Sequence, residues 1–248
     1  MTVVLNDAPG LLKTCQSLLE QAYENWEQII IYGPSSDETE FIAFELASQD
    51  HRIRAIKEEE SGIYTSMNQG LWLAKGTYVW FMNAGDTFYN QESLILGQQA
   101  IDRSELAYVS GGYQIDSSSK KQIMKSRDGD FSYSFFAFTP NWCHQAIIFD
   151  TYKVKLLGGY DTKYRYASDY DLILRLTLRF SNKRISAILA TFNAGGTADN
   201  NLTKVHHEKF KIRKKILRSK GLNLLSHAWF LIIIMKLTLN KIRKNIKS

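Results

Sequence analysis

From position 11 onward, apolar residues recur at helical spacing: Leu11, Leu12, Cys15, Leu18, Leu19 and Tyr23, after the turn-like run Asn6-Asp7-Ala8-Pro9-Gly10. A short β-branched run follows at 26–32 (WEQIIIY) and stops at Gly33-Pro34-Ser35-Ser36-Asp37, which reads as a buried strand and a loop. The pattern then predicts a helix over about 38–48, a strand around 54–57, and a helix over 66–74 closed by Gly76. Next comes the apolar strand 78–82 (YVWFM). Residues 2–5 make a first strand with so little chain ahead of it that a trimmed start is expected. Strand, helix, strand, helix, strand predicts an α/β fold, a mostly parallel sheet flanked by helices. Such sheets meet ligands at the carboxyl ends of their strands. That places Tyr32-Gly33 and the run Asn83-Ala84-Gly85-Asp86 at the candidate site, although plain turn chemistry accounts for the second run equally well.

The second half is less regular. Residues 106–115 (LAYVSGGYQI) and 146–149 read as strands, and 164–179 as a helix led by Ser168-Asp169-Tyr170-Asp171. Gly195-Gly196 sits in a polar loop, and no internal repeat is visible.

Composition narrows the class. With 248 residues, 44% hydrophobic and three prolines, the chain suits one large domain or a domain with an appendage, and excludes collagen-like, low-complexity and wholly disordered classes. Cys15 and Cys143 make neither a disulfide framework nor a metal pair; they fit a reducing cytosol, as small buried hydrophobes rather than reactive thiols. The net charge of +6 is unevenly spread: residues 204–248 carry 13 Lys/Arg and one acid, Glu208, so the body nets −6 and the tail +12. Within that tail, 227–239 (HAWFLIIIMKLTL) is 13 residues, against the roughly 20 a bilayer span requires. Basic clusters on both sides, with Trp229 and Phe230 near one end, predict a segment lying in the plane of an anionic membrane surface. A helix docked on the domain or on a partner subunit is the alternative, and no nucleic-acid partner is expected.

An ordered series of segments resembles the family 2 glycosyltransferases of the GT-A fold, in their bacterial polysaccharide-biosynthesis branch. The series is Asn6 with Leu11, Thr14, Ser17, Leu18 and Gln21; residues 29–39 (IIIYGPSSDET); 61–70 (SGIYTSMNQG); 74–86 (AKGTYVWFMNAGD); Cys143-His144-Gln145; and 167–176 (ASDYDLILRL). It runs from the first residues to about 203. The resemblance implies a GT-A (Rossmann-like) domain over 1–203, with 1–100 the nucleotide-sugar-binding half and 101–203 the acceptor half. A basic amphipathic C-terminal helical tail follows over 204–248.

Sugar transfer from a nucleoside diphosphate needs something to stabilise the leaving diphosphate and a base for the acceptor hydroxyl. Asp86, at a strand end, is the expected ligand of a divalent cation, Mg²⁺ or Mn²⁺, whose shell the diphosphate completes. Asp169, just ahead of an amphipathic helix, is where the resemblance puts the catalytic base of an inverting enzyme; helix capping would use the same residue. Asp171, two positions on, points elsewhere. The resemblance assigns Thr2, Val3, Asn6, Tyr32, Glu60, Tyr64, Met67, Asn68, Asn83 and Ala84 to the nucleotide sugar. It gives Trp142, His144 and Gln145 to the acceptor and phosphate side, while a lone His also has a structural reading. The aromatics of 131–142 make either a sugar or lipid platform or core. The chain departs from the family at Tyr32 and Thr65, each where an Asp is usual, at Glu60 for Asp, and at Gly195-Gly196-Thr197-Ala198, where a Ser is lost.

The expected protein is thus an inverting, metal-dependent enzyme at the cytoplasmic face of the cell membrane. It moves a sugar from a nucleoside-diphosphate donor, UDP-type favoured, to a lipid-linked saccharide acceptor. A non-catalytic glycosyltransferase-like subunit is the alternative, and a nucleotidyltransferase is disfavoured because no Gly-rich, basic triphosphate loop stands near residues 2–10.

Overall fold

The computed structural model describes residues 1–102, 105–117, 120–129, 142–195 and 201–218. The first half is the expected alternation: β1 (Thr2–Val4), α1 (Ala8–Leu19), β2 (Gln28–Tyr32), α2 (Thr39–Gln49), β3 (Ile53–Lys57), α3 (Ile63–Leu73) and β4 (Tyr78–Trp80). β1, β2 and β3 pair in parallel, with Thr2 opposite Ile30 and Gln28 opposite Ile53. All five residues of β2 are buried, because helices cover both of its faces. Side chains alternate along a strand, so Ile30 and Tyr32 join Leu11 and Cys15 of α1 and Ala43 and Leu46 of α2, while Ile29 and Ile31 face the other layer, where α3 packs.

β4 extends this sheet rather than starting another. The Met1 ammonium donates to the Trp80 carbonyl at 2.9 Å, Met82 N to Met1 O at 2.9 Å, and Ala84 N to Val3 O at 3.2 Å. The chain from Tyr78 to Ala84 therefore runs parallel beside β1, and the apolar run 78–82 lies mid-sheet. Val79, Trp80, Phe81 and Met82 are all buried.

The second half then supplies β5 (Thr87–Phe88), α4 (Ser93–Asp102), β6 (Tyr108–Ser117), β7 (Lys120–Met124), a 3₁₀ turn (His144–Ala146), β8 (Ile147–Asp150), α5 (Thr151–Leu156), α6 (Ser168–Arg179) and β9 (Asn182–Asn193). β8 lies antiparallel between β4 and β6, and β9 runs parallel to β6 and antiparallel to β5. β7 forms a hairpin with β6. The Gly111-Gly112 pair inside β6 is a close approach: a Cβ on Gly111 would meet Leu189 Cγ at 2.4 Å and Ala187 O at 2.7 Å, where the β6–β9 register shifts. The sheet thus has a parallel first half and a mixed second half. β5, β7, β9, α4 and α5 are additions to the elements expected from periodicity. β5 is two residues held by pairing to β9, and α5 is six residues, too short for a helical period to register. α6 begins at Ser168 rather than 164, because Ala167 leaves the helical region (φ −139°, ψ 27°).

Two units make up the chain, Met1–Gly195 and Gly196–Ser248. In the second, α7 (Leu202–Arg218) carries seven Lys/Arg and one acid. The apolar segment 227–239, the aromatics at 131–138 and Gly196-Thr197-Ala198 lie outside the described residues. Among the described residues, no helix is long and apolar enough to cross a membrane.

Candidate active site

The carboxyl ends of β1, β2 and β4 converge, and loops tie them together. Asn6 adopts φ +50° and its Oδ1 accepts from Ser36 N at 2.7 Å, while Asn6 N donates to Ser35 Oγ at 2.9 Å, joining the β1 and β2 exits. Asp7 caps α1, accepting from Gly10 N at 3.0 Å. Asp37 accepts from Ala8 N and Thr39 N.

Past β4, the run Asn83-Ala84-Gly85-Asp86 is a turn, with Asp86 N donating to Asn83 O at 3.1 Å. It is held against α1 by Thr14, whose hydroxyl donates to Asp86 O (2.7 Å) and Asn83 O (3.2 Å) and accepts from Gly85 N (3.0 Å). Gly85 sits at φ +90°, and a Cβ there would lie 3.1 Å from Asn193 Nδ2 and 3.7 Å from Asp7 Oδ2. The turn delivers the Asp86 carboxylate into a buried position, 4% exposed. Asn193 N donates to its Oδ1 at 2.8 Å, and the Gln145 side chain is also hydrogen-bonded to it. Burial pushes the Asp86 carboxyl up to about 7, against the pull of those two hydrogen bonds.

From the other half, the turn Cys143-His144-Gln145 interacts with two carboxylates. Gln145 reaches Asp86, and its carbonyl accepts from Trp80 Nε1 at 2.6 Å. His144 feels the charge of Asp169, and the Cys143 thiol feels both Asp86 and Asp169. His144 is 6% exposed, stacked on Phe81 at 5.5 Å, and burial lowers its basicity. Asp169 is half-buried in the first turn of α6. Tyr170 N (2.7 Å) and Tyr64 OH (3.2 Å) both donate to its Oδ1. Among the described residues Oδ2 is therefore the oxygen left over. Tyr64 stacks on Tyr160 at 5.4 Å, and Trp142 on Tyr170 at 6.2 Å.

Asn83, Ala84, Asp86, Gln145, His144, Asp169 and Tyr64 are thus gathered at one edge. Asn68 is tied to the same group through Tyr160, bonding that residue's backbone N and O. Other expected residues are placed differently. Tyr32 is 3% exposed, its ring set edge-on to Phe44 and its hydroxyl bonded to Glu40. Thr2 and Val3 are buried in β1, where Thr2 Oγ1 accepts from Gln28 and the Val3 carbonyl holds Ala84. Met67 is buried, and Glu60 is exposed. Of the three consecutive glutamates, Glu58 lies at the β2 exit: it accepts from Ser66 Oγ at 2.9 Å and crowds Gly33. Thr14, Asp7, Tyr160 and Asn193 were not foreseen as site residues. An N-cap Asp before a Pro marks Asp7 in the sequence, but Tyr160 and Asn193 carry no local signal.

The sheet, parallel in its first half and mixed in its second, is that of a GT-A fold. Solved structures agree at the level of the fold. A mannosyltransferase from Pyrobaculum calidifontis, in complex with GDP-Man and Mn²⁺, aligns with TM-score 0.69 and 16% identity over 92% of this chain and 69% of its own. The structure of TarS 1–349 from S. aureus aligns with TM-score 0.67 and 14% identity over 86% of this chain, which spans 64% of that solved chain, under two thirds of its length. Residues 1–157 match the glycosyl transferase family 2 model, and the chain belongs to that family; it is a glycosyltransferase. Its relatives include a PGL/p-HBAD biosynthesis glycosyltransferase of Mycobacterium bovis, 28% identical over 80% of this chain and 77% of the relative. An uncharacterised glycosyltransferase of Mycobacterium tuberculosis is 27% identical over 81% and 76%.

Proposed function

We propose that this glycosyltransferase moves a sugar from a nucleoside-diphosphate donor, UDP-type favoured, to a hydroxyl of a lipid-linked saccharide in surface polysaccharide synthesis, with inversion and a divalent cation. One observation supports the reading: the buried Cys143 thiol feels the charges of both Asp86 and Asp169, Gln145 is hydrogen-bonded to Asp86 and His144 feels Asp169, so both acids act on one short turn. Solved relatives in fold bind donors of this class, UDP-GlcNAc for TarS and GDP-Man with Mn²⁺ for the Pyrobaculum enzyme.

Asp169 serves as the base. Its Oδ1 is occupied by two donors, so Oδ2 takes the acceptor proton as the hydroxyl oxygen attacks the anomeric carbon. The carbon–oxygen bond to the diphosphate breaks on the opposite face, which inverts the centre. Asn83 faces the donor sugar, and the Asn6–Ser36 loop borders the nucleoside.

Among the described residues, no group of three or more His, Cys, Asp or Glu converges to form a self-sufficient metal site. The donor set fits a hard cation held by one carboxylate, with diphosphate oxygens completing the shell. Asp86 is that carboxylate, with the charge of Asp7 also felt there. When bound, such a cation stabilises the charge that develops on the leaving diphosphate. The basic tail holds the enzyme on the anionic inner membrane leaflet, beside lipid-linked acceptor.

The test is release of nucleoside diphosphate from a donor panel with Mn²⁺ or Mg²⁺ and acceptor-lipid extract. Asp169→Asn should lower turnover by about 100-fold or more while keeping the donor-induced thermal shift. Asp86→Ala should remove metal dependence. A wild type inactive across the whole panel would favour a non-catalytic, sugar-nucleotide-binding subunit, and an Asp169→Asn variant as fast as wild type would discard the assigned base.

A further inference from the structure

Tyr160 stands in the middle of the site without a role in the reaction described above. Its hydroxyl lies 2.6 Å from His144 Nε2, with the two residues 2% and 6% exposed. A neutral phenol has one proton to place, and Nε2 is the sole described acceptor within reach of it. An imidazole nitrogen that accepts carries no proton, so in a neutral ring the proton sits on the other nitrogen. The opposite polarity, with Nε2–H donating to the phenol oxygen, would leave the phenol proton without a partner. Among the described residues the phenol oxygen has no other hydrogen-bond partner: the Tyr160 ring is packed edge-on to Phe81 at 5.1 Å and stacked on Tyr64, and the Asp169 carboxylate acts on it through its charge.

The backbone around Tyr160 is held from two directions. Asn68 of α3 bonds it twice, accepting from Tyr160 N at 2.8 Å and donating to Tyr160 O at 2.9 Å. From α6, the Arg175 guanidinium donates to Leu157 O and Gly159 O, and is itself fixed by Asp171 at 2.7 Å. Gly159 adopts φ +68°, and a Cβ there would come within 2.4 Å of Asn68 Oδ1. A phenylalanine would fill the same wedge between Phe81 and Tyr64. The contribution particular to a tyrosine is its hydroxyl, and the hydroxyl is spent on His144.

We propose that Tyr160 is a positioning residue for His144: its hydroxyl donates to Nε2 and fixes the imidazole as the neutral tautomer bearing its proton on Nδ1. This rests on the reading of His144 and Asp169 as parts of the transfer site. The neutral tautomer makes His144 a single-bond donor through Nδ1–H towards a phosphate or hydroxyl oxygen, and not a cation. Burial, which lowers the basicity of the ring and raises the phenol well above its ordinary value, acts in the same direction. The stacked tyrosines divide the work, Tyr64 engaging Oδ1 of the base and Tyr160 setting the histidine.

The experiment is a long-range ¹H–¹⁵N spectrum of the full-length, ¹⁵N-histidine-labelled protein, with the His144 signals among the five histidines assigned by loss in His144→Gln. Wild type should show a protonated Nδ1 and an unprotonated Nε2. Tyr160→Phe should shift the ring towards the Nε2–H form or a mixture at an unchanged melting temperature. It should lower kcat on the order of tenfold while donor KM stays within about twofold, the scale seen when a group acting through a histidine is lost. A wild-type ring already in the Nε2–H form, or ring signals identical in wild type and Tyr160→Phe, overturns the proposal. If no donor is turned over by wild type, the functional reading fails, while the ring spectrum still decides the tautomer.

Discussion

Replacing Asp86 with Asn should make the empty enzyme more stable at neutral and alkaline pH, although it removes the proposed cation ligand. The carboxyl is raised from the ordinary 3.8 to about 7 by burial. Between those values the folded protein keeps a proton that the unfolded chain has released, so stability falls as pH rises from about 4 to about 7 and is flat beyond. At about 1.4 kcal/mol per pH unit, the cost of the ionised, buried carboxylate above pH 7 is roughly 4 kcal/mol. Asparagine retains an acceptor for Asn193 N–H but must rearrange the bond from Gln145, giving back about 1 kcal/mol. Urea denaturation at pH 5 and pH 8 measures the outcome: Asp86→Asn should exceed wild type by about 3 kcal/mol at pH 8 and by far less at pH 5. Adding Mn²⁺ with a nucleoside diphosphate should stabilise wild type and leave the variant unmoved. Equal stability of the two proteins at both pH values would refute the argument, because it would mean the carboxylate is not desolvated.

Thr14→Val leaves the Gly85 amide and two turn carbonyls without their hydroxyl; it should cost about 1–3 kcal/mol in denaturant melts and weaken donor binding, since the Asp86 turn loses its support on α1. Arg175→Met strands Asp171, 2% exposed, and frees the carbonyls of Leu157 and Gly159; a loss of about 3–5 kcal/mol is expected, and Asp171→Leu in the same chain should restore part of it. Flotation with anionic liposomes should carry the full-length chain and not a truncation after Thr203; equal behaviour of the two would remove the membrane reading.

The relation between sequence and structure can be followed along the opening strands. Residues 29–31 and 78–82 are apolar without alternation, as a strand buried on both faces requires; β2 is found parallel and buried throughout, and 79–82 is buried with β1 parallel on one side and β8 antiparallel on the other. The Asn83–Asp86 run could be read locally as a turn or as a site; it is both, because Thr14 anchors the turn and the turn carries the carboxylate inward. Of three consecutive glutamates the resemblance pointed to Glu60; Glu58 lies at the β2 exit, bonded by Ser66, while Glu60 is exposed, a difference set by the strand register and the start of α3.

Local pattern determined the alternating strands and helices of the first half and the strand ends at which a site is expected, since periodicity, turn residues and strand-end position are properties of neighbours in the chain; the part proposed for Asp169 came from the family resemblance. Tertiary structure decided the rest. β5 and β9 exist because they pair with strands far away in sequence, Tyr32 is absorbed by α2, and Tyr160 meets His144 only after α3 and α6 fix its backbone. Those partners are separated by up to about a hundred residues of chain, as Tyr64 and Asp169 are (105 positions apart), and a contact of that range leaves no mark on the spacing of either residue.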